Sequence, residues 1–343
     1  MAFFAGLLHE LSRVTYAKSY TNTPISLTVF ANAMGDLVEE VLRLKRERNA
    51  VILAHNYQRS EVQAVADLLG DSLDLSLEAA STDARVIVFA GVYFMAEVAA
   101  VLNPGKLVLI PDTRAGCTLV NSVRAEDIIR WREEHPGGVV ITYINSSIEV
   151  KAVSDYVCTS ANCHKIIESI PRDKPVLFVP DKNLGNYIRY VTGRDNLYIW
   201  DGTCYVHDRI TYDVLARTAM ENRGSVLLVH PECSGTVDIL KDAGKLGIRV
   251  MVSSTQGMVR AVKGSRGDSF VIATETGLVD RVLRENPNAK VAPALRNAVC
   301  GFMKLITLDK VYRSLRDLVY PVRVPEDIAR RARVSIMRML EFR

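Results

Sequence analysis

Short apolar runs alternate with amphipathic stretches along most of the chain. The runs are almost continuously apolar, which is typical of strands that are covered on both faces, and the stretches between them have helical spacing. Strands are predicted at Val51–Ala54, Val86–Ala90, Leu107–Ile110, Val139–Tyr143, Val176–Val179, Leu197–Trp200, Val226–Val229, Arg249–Val252, Phe270–Ala273 and Lys290–Ala292. Helices are predicted between them, for example at Val62–Leu69, Ala96–Leu102 and Val237–Ala243. The alternation predicts an α/β fold with parallel sheets.

A seven-residue segment recurs along the chain at a nearly constant interval. EVQAVAD at 61–67 returns as EVKAVSD at 149–155, and more weakly as TVDILKD at 236–242. Self-similarity at a fixed period is typical of repeated structural units. Helices of α/β proteins resemble one another in general, so this segment alone does not establish a repeat.

Polar residues accompany each copy in the same order. A polar cluster at a predicted strand end precedes the copy, beginning at His55, Tyr143 or His230. A hydroxyl residue follows it: Ser72, Ser160 or Thr255. A cysteine then closes each unit: Cys117, Cys204 or Cys300. We therefore interpret the chain as an N-terminal extension (1–36), three homologous α/β units (37–118, 119–206 and 207–303) and a helical tail (304–343).

The recurring polar positions predict one shared site. Ligands of parallel α/β sheets bind beyond the carboxyl ends of the strands, and helix N-termini hold anions. If the three units are related by a pseudo-threefold axis, their strand ends and helix starts meet at a central cavity. A single serine of this kind is more often an N-cap, and a single histidine is more often structural. The prediction of a site therefore depends on the equivalence of the three units.

One cysteine in each unit would place three thiolates around the same axis. Three protein ligands leave one coordination position open, which is typical of a catalytic rather than a structural metal site. Both zinc and an iron–sulfur cluster suit three thiolates. Cys158, Cys163 and Cys233 lie outside the recurring positions, and we expect them to be buried or redox-active.

Composition narrows the functional classes. The 43 Lys and Arg residues nearly balance the 39 Asp and Glu residues, which disfavours a nucleic-acid binder. The most apolar run, residues 86–102, contains Glu97 and is too short to span a bilayer. The first residues lack the basic segment of a signal peptide, so we expect a cytoplasmic protein. Phosphate-loop, dinucleotide-binding and serine-hydrolase motifs do not occur in the sequence.

Eight stretches between about residues 37 and 310 resemble the quinolinate synthase (NadA) family. They are ILAHNYQ (52–58), GDSLDLS (70–76), PDTRAGC (111–117), YINSSIEVKA (143–152), PDKNLG (180–185), WDGTCYVHD (200–208), VHPEC (229–233) and ALRNAVCGFM (294–303). The resemblance implies three homologous α/β/α domains in pseudo-threefold arrangement. It also implies a [4Fe-4S] cluster at their centre, with Cys117, Cys204 and Cys300 as its ligands.

The resemblance implies an enzyme of de novo NAD biosynthesis. Such an enzyme condenses iminosuccinate with dihydroxyacetone phosphate to quinolinate, releasing phosphate and two waters, with the cluster acting as a Lewis acid in dehydration. Its partners would be these small molecules and, functionally, the enzyme that produces iminosuccinate, with no nucleic acid or membrane involved.

The resemblance also implies individual site residues. The expected substrate-binding positions are His55, Ser72, Tyr143, Ile144, Asn145, Ser160, His230, Pro231, Glu232 and Thr255. We expect Glu232 to be the main general base and Tyr57 to be a proton shuttle. We expect His55 and His230 to position the substrate, and we count both among the catalytic residues.

Two other classes remain open from the residues alone. A zinc-dependent lyase could use the same three thiolates, and metal analysis would distinguish it. A non-catalytic binder of small dicarboxylates could use the same hydroxyl residues without needing the cysteines.

Overall fold

The computed structural model describes residues 27–342, with side chains from residue 35 onward. Most of the predicted N-terminal extension, residues 1–26, lies outside the described residues. The first helix, α1, spans Leu27–Glu47 and therefore runs across the expected boundary at residue 36.

Strands and helices alternate through the described part of the chain. The strands are β1 Ala50–His55, β2 Leu68–Gly70, β3 Val86–Ala90, β4 Leu107–Leu109, β5 Val139–Tyr143, β6 Tyr156–Cys158, β7 Val176–Val179, β8 Leu197–Ile199, β9 Val226–Val229, β10 Arg249–Val252, β11 Ser269–Ala273 and β12 Lys290–Pro293. The remaining helices are α2 Ser60–Val65, α3 Ser72–Ser81, α4 Tyr93–Leu102, α5 Ala125–Glu134, α6 Ile148–Ala152, α7 Cys163–Ser169, α8 Lys182–Thr192, α9 Tyr212–Glu221, α10 Thr236–Leu246, α11 Thr255–Gly264, α12 Gly277–Glu285, α13 Leu308–Asp317 and α14 Glu326–Glu341. Two short 3₁₀ helices lie at Thr118–Ser122 and Met303–Leu305.

The strands between residues 27 and 342 form three four-stranded parallel sheets of identical topology. Their strand orders are β2-β1-β3-β4, β6-β5-β7-β8 and β10-β9-β11-β12. Even the register recurs, because Leu53 pairs with Leu68 in the first sheet and Ile141 pairs with Tyr156, 88 residues further on, in the second. The prediction of three homologous α/β/α domains with parallel sheets in threefold arrangement is confirmed.

The strands at the centre of each sheet are buried on both faces. In β3 all five residues are buried, and in β1 every residue after the first is buried. This double covering explains why the runs are almost continuously apolar. The long apolar run at 86–102 divides into β3 and α4, and within residues 27–342 we find no helix with the length and apolarity that a membrane span requires.

The ten predicted strands are all present, but β2 and β6 were not predicted. The helix expected at Val62–Leu69 ends at Val65, and Leu68 already belongs to β2. Asp67 lies between the two elements and accepts a hydrogen bond of 2.8 Å from the N–H of Ile52 in β1. Leu68 and Leu69 continue the apolar spacing of the expected helix, so the sequence pattern did not separate β2 from it.

The aspartate that ends the recurring segment has the same role in two units only. Asp155 accepts a 2.8 Å hydrogen bond from the N–H of Val140 in β5, as Asp67 does from β1. In the third unit helix α10 continues to Leu246, so Asp242 stays within the helix and accepts from the Tyr212 hydroxyl at 3.0 Å. The weaker sequence match of the third copy thus corresponds to a longer helix.

The C-terminal helix α14 packs against α4 of the first unit and against α6 and β6 of the second. Ile336 and Met339 on its inner face are fully buried. The Ser335 hydroxyl donates to the carbonyl of Lys151 at 2.7 Å, and the Asn162 amide donates to the carbonyl of Met339 at 3.0 Å. The helix therefore joins two units as well as covering apolar surface.

We predict that Ile336→Ala destabilises the protein by about 2–5 kcal/mol, because it leaves a cavity between α14 and the second unit. Val334→Ala is the matched control, since Val334 lies on the same helix with 54% of its surface exposed. The control is expected to change the unfolding free energy by no more than about 0.5 kcal/mol. Denaturant unfolding, monitored by circular dichroism, measures the unfolding free energy of both variants. Equal unfolding midpoints for the two variants would show that α14 is not packed as described.

Candidate active site

The carboxyl ends of β1, β5 and β9 open onto one cavity between the three units. Each strand end contributes two residues that line the cavity and are separated by one position: His55 and Tyr57, Tyr143 and Asn145, and His230 and Glu232. The residue between the two members of each pair does not line the cavity. Equivalent positions of the repeat therefore meet at one place, as ligand-binding residues of parallel sheets do.

The three expected hydroxyl residues, Ser72, Ser160 and Thr255, line the same cavity, and so does Thr159. Ser72 and Thr255 are the first residues of α3 and α11, but their hydroxyls do not cap these helices. The caps are the preceding residues, Asp71 and Ser254, whose side chains accept from backbone N–H groups of the first turn. Ser160 differs from its counterparts because it lies in a turn three residues before α7 begins. These hydroxyls therefore do not accept the capping hydrogen bonds of the helices.

The cysteines fall into two groups. Cys117, Cys204 and Cys300 line the cavity and are partly exposed, and none of the chain's six cysteines, which all lie among the described residues, forms a disulfide. The buried cysteines are Cys158, Cys163 and Cys233. The thiol of Cys117 is close enough to interact electrostatically with those of Cys300 and Cys204. Three thiols from three units thus converge, and they fit a metal centre with three protein ligands.

Burial controls the protonation of these thiols. It raises the pKa of Cys117 to about 12, and it raises the pKa values of Cys204 and Cys300 above their usual range. Without a cation the three groups are neutral thiols at neutral pH. Binding a metal centre would therefore release protons, because a metal binds the thiolate.

His207 joins this site, although the sequence did not single it out. Its Nδ1 lies 3.3 Å from the Cys204 sulfur and 3.1 Å from Oε2 of Glu232. The side-chain donor atoms of these three residues all lie within 4.8 Å of one another, a grouping compatible with a metal cofactor. The spacing of His207, three residues after Cys204, is the signal that could have identified it.

The Glu232 carboxylate is buried and is held by hydrogen-bond donors from the second and third units. The Tyr143 hydroxyl donates to Oε1, and the His207 ring lies against Oε2. Burial raises the pKa of Glu232, but His207, His230 and Tyr143 together lower it to about 2. The carboxylate is therefore ionised at neutral pH and can accept hydrogen bonds in the cavity.

A chain of hydrogen bonds continues from Glu232 to the first unit. The Nε2 atom of His207 lies 2.8 Å from the Thr274 hydroxyl, which lies 2.5 Å from the hydroxyl of Tyr57. Burial raises the pKa of Tyr57 well above its usual range, so this phenol stays protonated. Tyr57 is thus connected to Glu232 through Thr274 and His207.

His55 and His230 are neutral imidazoles. The pKa of each is lowered to about 3, by burial in both and also by the neighbouring His230 in the case of His55. The Nδ1 atom of His55 accepts a 3.2 Å hydrogen bond from the backbone N–H of Tyr57. The ring proton of His55 is therefore on Nε2, and the same holds for His230, whose Nδ1 accepts from the N–H of Glu232 at 3.5 Å. Nε2 of His55 can therefore donate a hydrogen bond in the cavity, and Nε2 of His230 lies 3.2 Å from the Ser160 hydroxyl.

A second buried carboxylate, Glu275, positions the loop of Cys300. Its oxygens accept from the N–H of Cys300 at 3.1 Å and from the N–H of Gly277 at 2.6 Å. The ammonium of Lys304 lies 3.1 Å from Glu275 and also donates to the carbonyl of Tyr57 at 2.5 Å. Glu275 follows β11 by two residues, much as Glu232 follows β9, but the recurring strand-end clusters do not include this strand.

Two of the expected substrate-binding residues do not line the cavity. Ile144 and Pro231 are the middle residues of their strand-end clusters, and their side chains are buried away from the cavity. Successive side chains of an extended segment point in opposite directions, so only the flanking residues reach it. The other expected site residues all line this cavity.

The fold and the cavity together define an α/β enzyme whose active site lies between its domains. The family model described as NadA, quinolinate synthetase A protein, matches residues 39–341. The chain belongs to the quinolinate synthase family. The family expected from the eight sequence stretches is thus confirmed.

The chain is similar to quinolinate synthases over nearly their whole length. It is 59% identical over 306 residues to the quinolinate synthase of Pyrobaculum aerophilum. The aligned region covers 89% of this chain and 99% of the relative. It is 49% identical over 307 residues to that of Thermus thermophilus (89% and 96%) and 45% identical over 308 residues to that of Pyrococcus horikoshii (90% and 99%). The family match over residues 39–341 includes all three sheets and the C-terminal helices.

We predict that His55 keeps its proton on Nε2 and does not titrate between pH 8 and pH 5. Its pKa of about 3 lies below this range, whereas the ordinary value of 6.5 lies within it. Long-range ¹H–¹⁵N correlation spectra of the histidine rings measure both properties, and the spectrum of His55→Gln assigns the signal. A His55 resonance that titrates near pH 6.5 would contradict the buried, neutral state.

Proposed function

We propose that this chain is the quinolinate synthase of an NAD biosynthetic pathway. In the proposed reaction, iminosuccinate condenses with dihydroxyacetone phosphate to quinolinate, and phosphate and two waters are released. One observation supports this activity above the others: three thiols, two neutral histidines and an ionised carboxylate converge on one cavity shared by three units.

We further propose that Cys117, Cys204 and Cys300 hold a [4Fe-4S] cluster. Their convergence, their partial exposure to the cavity and the absence of disulfides among them support this assignment. When bound, such a cluster supplies an iron with an open coordination position, which acts as a Lewis acid toward carboxylate and hydroxyl oxygens of the substrate in dehydration. The remaining chemistry belongs to the side chains around it.

The hydroxyls and the neutral histidines are suited to bind a dicarboxylate. Ser72 and Thr255 stand in the first turns of α3 and α11, where free backbone N–H groups and the helix dipole favour an anion. His55 and His230 add N–H donors without adding a charge. These groups orient the substrate, and apolar side chains such as Phe94 and Met303 exclude water from the cavity.

Glu232 and His207 are suited to accept protons as a pair. A proton taken up at Nε2 of His207 would form an imidazolium next to the ionised Glu232, which stabilises it. Tyr57 can pass a proton to His207 through the Thr274 hydroxyl, which agrees with the expected role of Tyr57 as a shuttle. The general-base role expected for Glu232 is therefore best assigned to the Glu232–His207 pair.

We predict that anaerobic purification yields a brown protein with about four irons and four sulfides per chain. Cys117→Ala is expected to lose the cluster, because two thiolates cannot hold it in place. Cys163→Ala, which removes a thiol buried away from the cavity, is the matched control and is expected to retain the cluster. A colourless protein that binds one zinc ion instead would reject the proposed cofactor and favour a zinc-dependent lyase.

We predict that Glu232→Gln lowers kcat by about 10²–10⁴-fold, the usual contribution of a positioned acid–base group. The substitution removes the negative charge beside His207 while it keeps the size of the side chain. Quinolinate formation is measured under anaerobic conditions, and iron content is measured in parallel to show that the cofactor is intact. Glu149→Gln, at an exposed position, is the control, and full activity in Glu232→Gln would refute the assigned role.

A further inference from the structure

A second cavity lies on the surface between the loop after β4 and helix α13. Residues 111–114 line one side of it, and residues of α13 and the segment that follows line the other. Residues 111–114 belong to the PDTRAGC stretch, but of this stretch only Gly116 and Cys117 line the active site. The proposed reaction therefore gives Asp112 and Arg114 no role.

Asp112 organises the basic side chains of this cavity. Its Oδ1 accepts from the N–H of Arg114 at 2.9 Å and from Nε of Arg114 at 3.1 Å. Its Oδ2 accepts from Nη2 of Arg114 at 2.9 Å and from Nζ of Lys310 at 2.6 Å. These four bonds saturate the carboxylate, and the guanidinium of Arg114 with the ammonium of Lys310 holds the pKa of Asp112 well below its usual range. Asp112 thus fixes two cations and has no lone pair left to offer.

The cavity has a surplus of positive charge. Arg114, Lys310 and Arg313 line it, and Asp112 is the one acidic residue in its lining. Three cations against one carboxylate leave a net charge of +2. The cavity volume is about 230 Å³, measured as the space that the centre of a water molecule can occupy. By the same measure a single water molecule needs on the order of 10–15 Å³. The cavity therefore has room for a ligand much larger than water.

Several hydrogen-bond donors of the cavity have no acceptor among the described residues. Arg114 uses Nε and Nη2 for Asp112, which leaves Nη1. Lys310 donates to Asp112 and to the carbonyl of Leu305, which leaves one N–H, and Arg313 uses only Nη2. These unused N–H donors of Arg114, Lys310 and Arg313 can bind an anion.

We propose that this cavity binds a phosphate dianion, either inorganic phosphate or the phosphate group of a monoester. Two net positive charges match a dianion, and guanidinium groups bind phosphate oxygens through paired N–H donors. The Lys310 ammonium adds a donor from the side of α13. The site is separate from the active-site cavity, and its existence does not depend on the proposed reaction.

Isothermal titration of the full-length, anaerobically purified protein with inorganic phosphate at constant ionic strength tests the site. The double variant Arg114→Ala/Arg313→Ala removes two exposed cations and leaves Asp112 paired with Lys310. We expect it to lose one phosphate-binding event or to bind at least about tenfold more weakly, because charge-assisted hydrogen bonds are lost. An unchanged thermal unfolding midpoint without phosphate would show that the variant is folded.

Two control variants distinguish this cavity from other places where phosphate could bind. Arg316→Ala removes the same charge from the same helix, but Arg316 does not line the cavity and pairs with Asp317. Ser160→Ala alters the active-site cavity instead. Both controls are expected to keep the binding event. The proposal is overturned if the wild-type protein binds no phosphate, if the double variant binds it as the wild type does, or if Arg316→Ala weakens binding equally.

A parallel titration with glycerol 3-phosphate distinguishes the two sources of the dianion. Binding that the double variant also weakens would show that the site accepts monoesters. Binding of inorganic phosphate alone, with the same dependence on Arg114 and Arg313, would identify the free ion as the ligand. Both results support the site.

Discussion

A buried, ionised carboxylate must be surrounded by hydrogen-bond donors. The way the three units of this protein are assembled depends on supplying such donors to Glu232. Its exposure is only 3%, and burying a carboxylate without partners is very unfavourable. The third unit, which carries Glu232, cannot supply all the donors itself. Tyr143 comes from the second unit, and His207 is the first residue of the third. The units must therefore assemble before the carboxylate is stable.

Further contacts close the ring of units around the same cavity. The Asn56 amide of the first unit donates to the Thr255 hydroxyl of the third at 2.8 Å, and its oxygen accepts from Arg281. Lys304, beyond the third sheet, connects Glu275 with the backbone at Tyr57. The active site is thus held by contacts between units rather than within one unit. A substitution at such a contact would alter the cavity without touching a substrate-facing residue.

Local features of the sequence predicted much of the fold and part of the site. Ten strands were found because each is an apolar run bounded by polar residues, and the three cavity cysteines were found because they recur at equivalent positions. Strand β2 was not predicted because Leu68 and Leu69 continue the apolar spacing of the helix expected at Val62–Leu69. His207 and Glu275 were not predicted as site residues because neither belongs to the repeat. Ile144 and Pro231 were expected from the resemblance but do not line the cavity, because neighbouring side chains of an extended segment point in opposite directions.

The amino-acid sequence alone determined the α/β class, the threefold repetition, the family and the three thiols, since these depend on residue types and their spacing. Only the tertiary structure decided which polar groups touch across units. Tyr143 and Glu232, and likewise Asp112 and Lys310, are far apart in sequence and are brought together by the packing of whole domains. The charge states follow from that packing as well, because burial and neighbouring charges set the pKa values of His55, Glu232 and the cysteines. The spacing of residues along the chain shows neither the contacts between units nor these charge states.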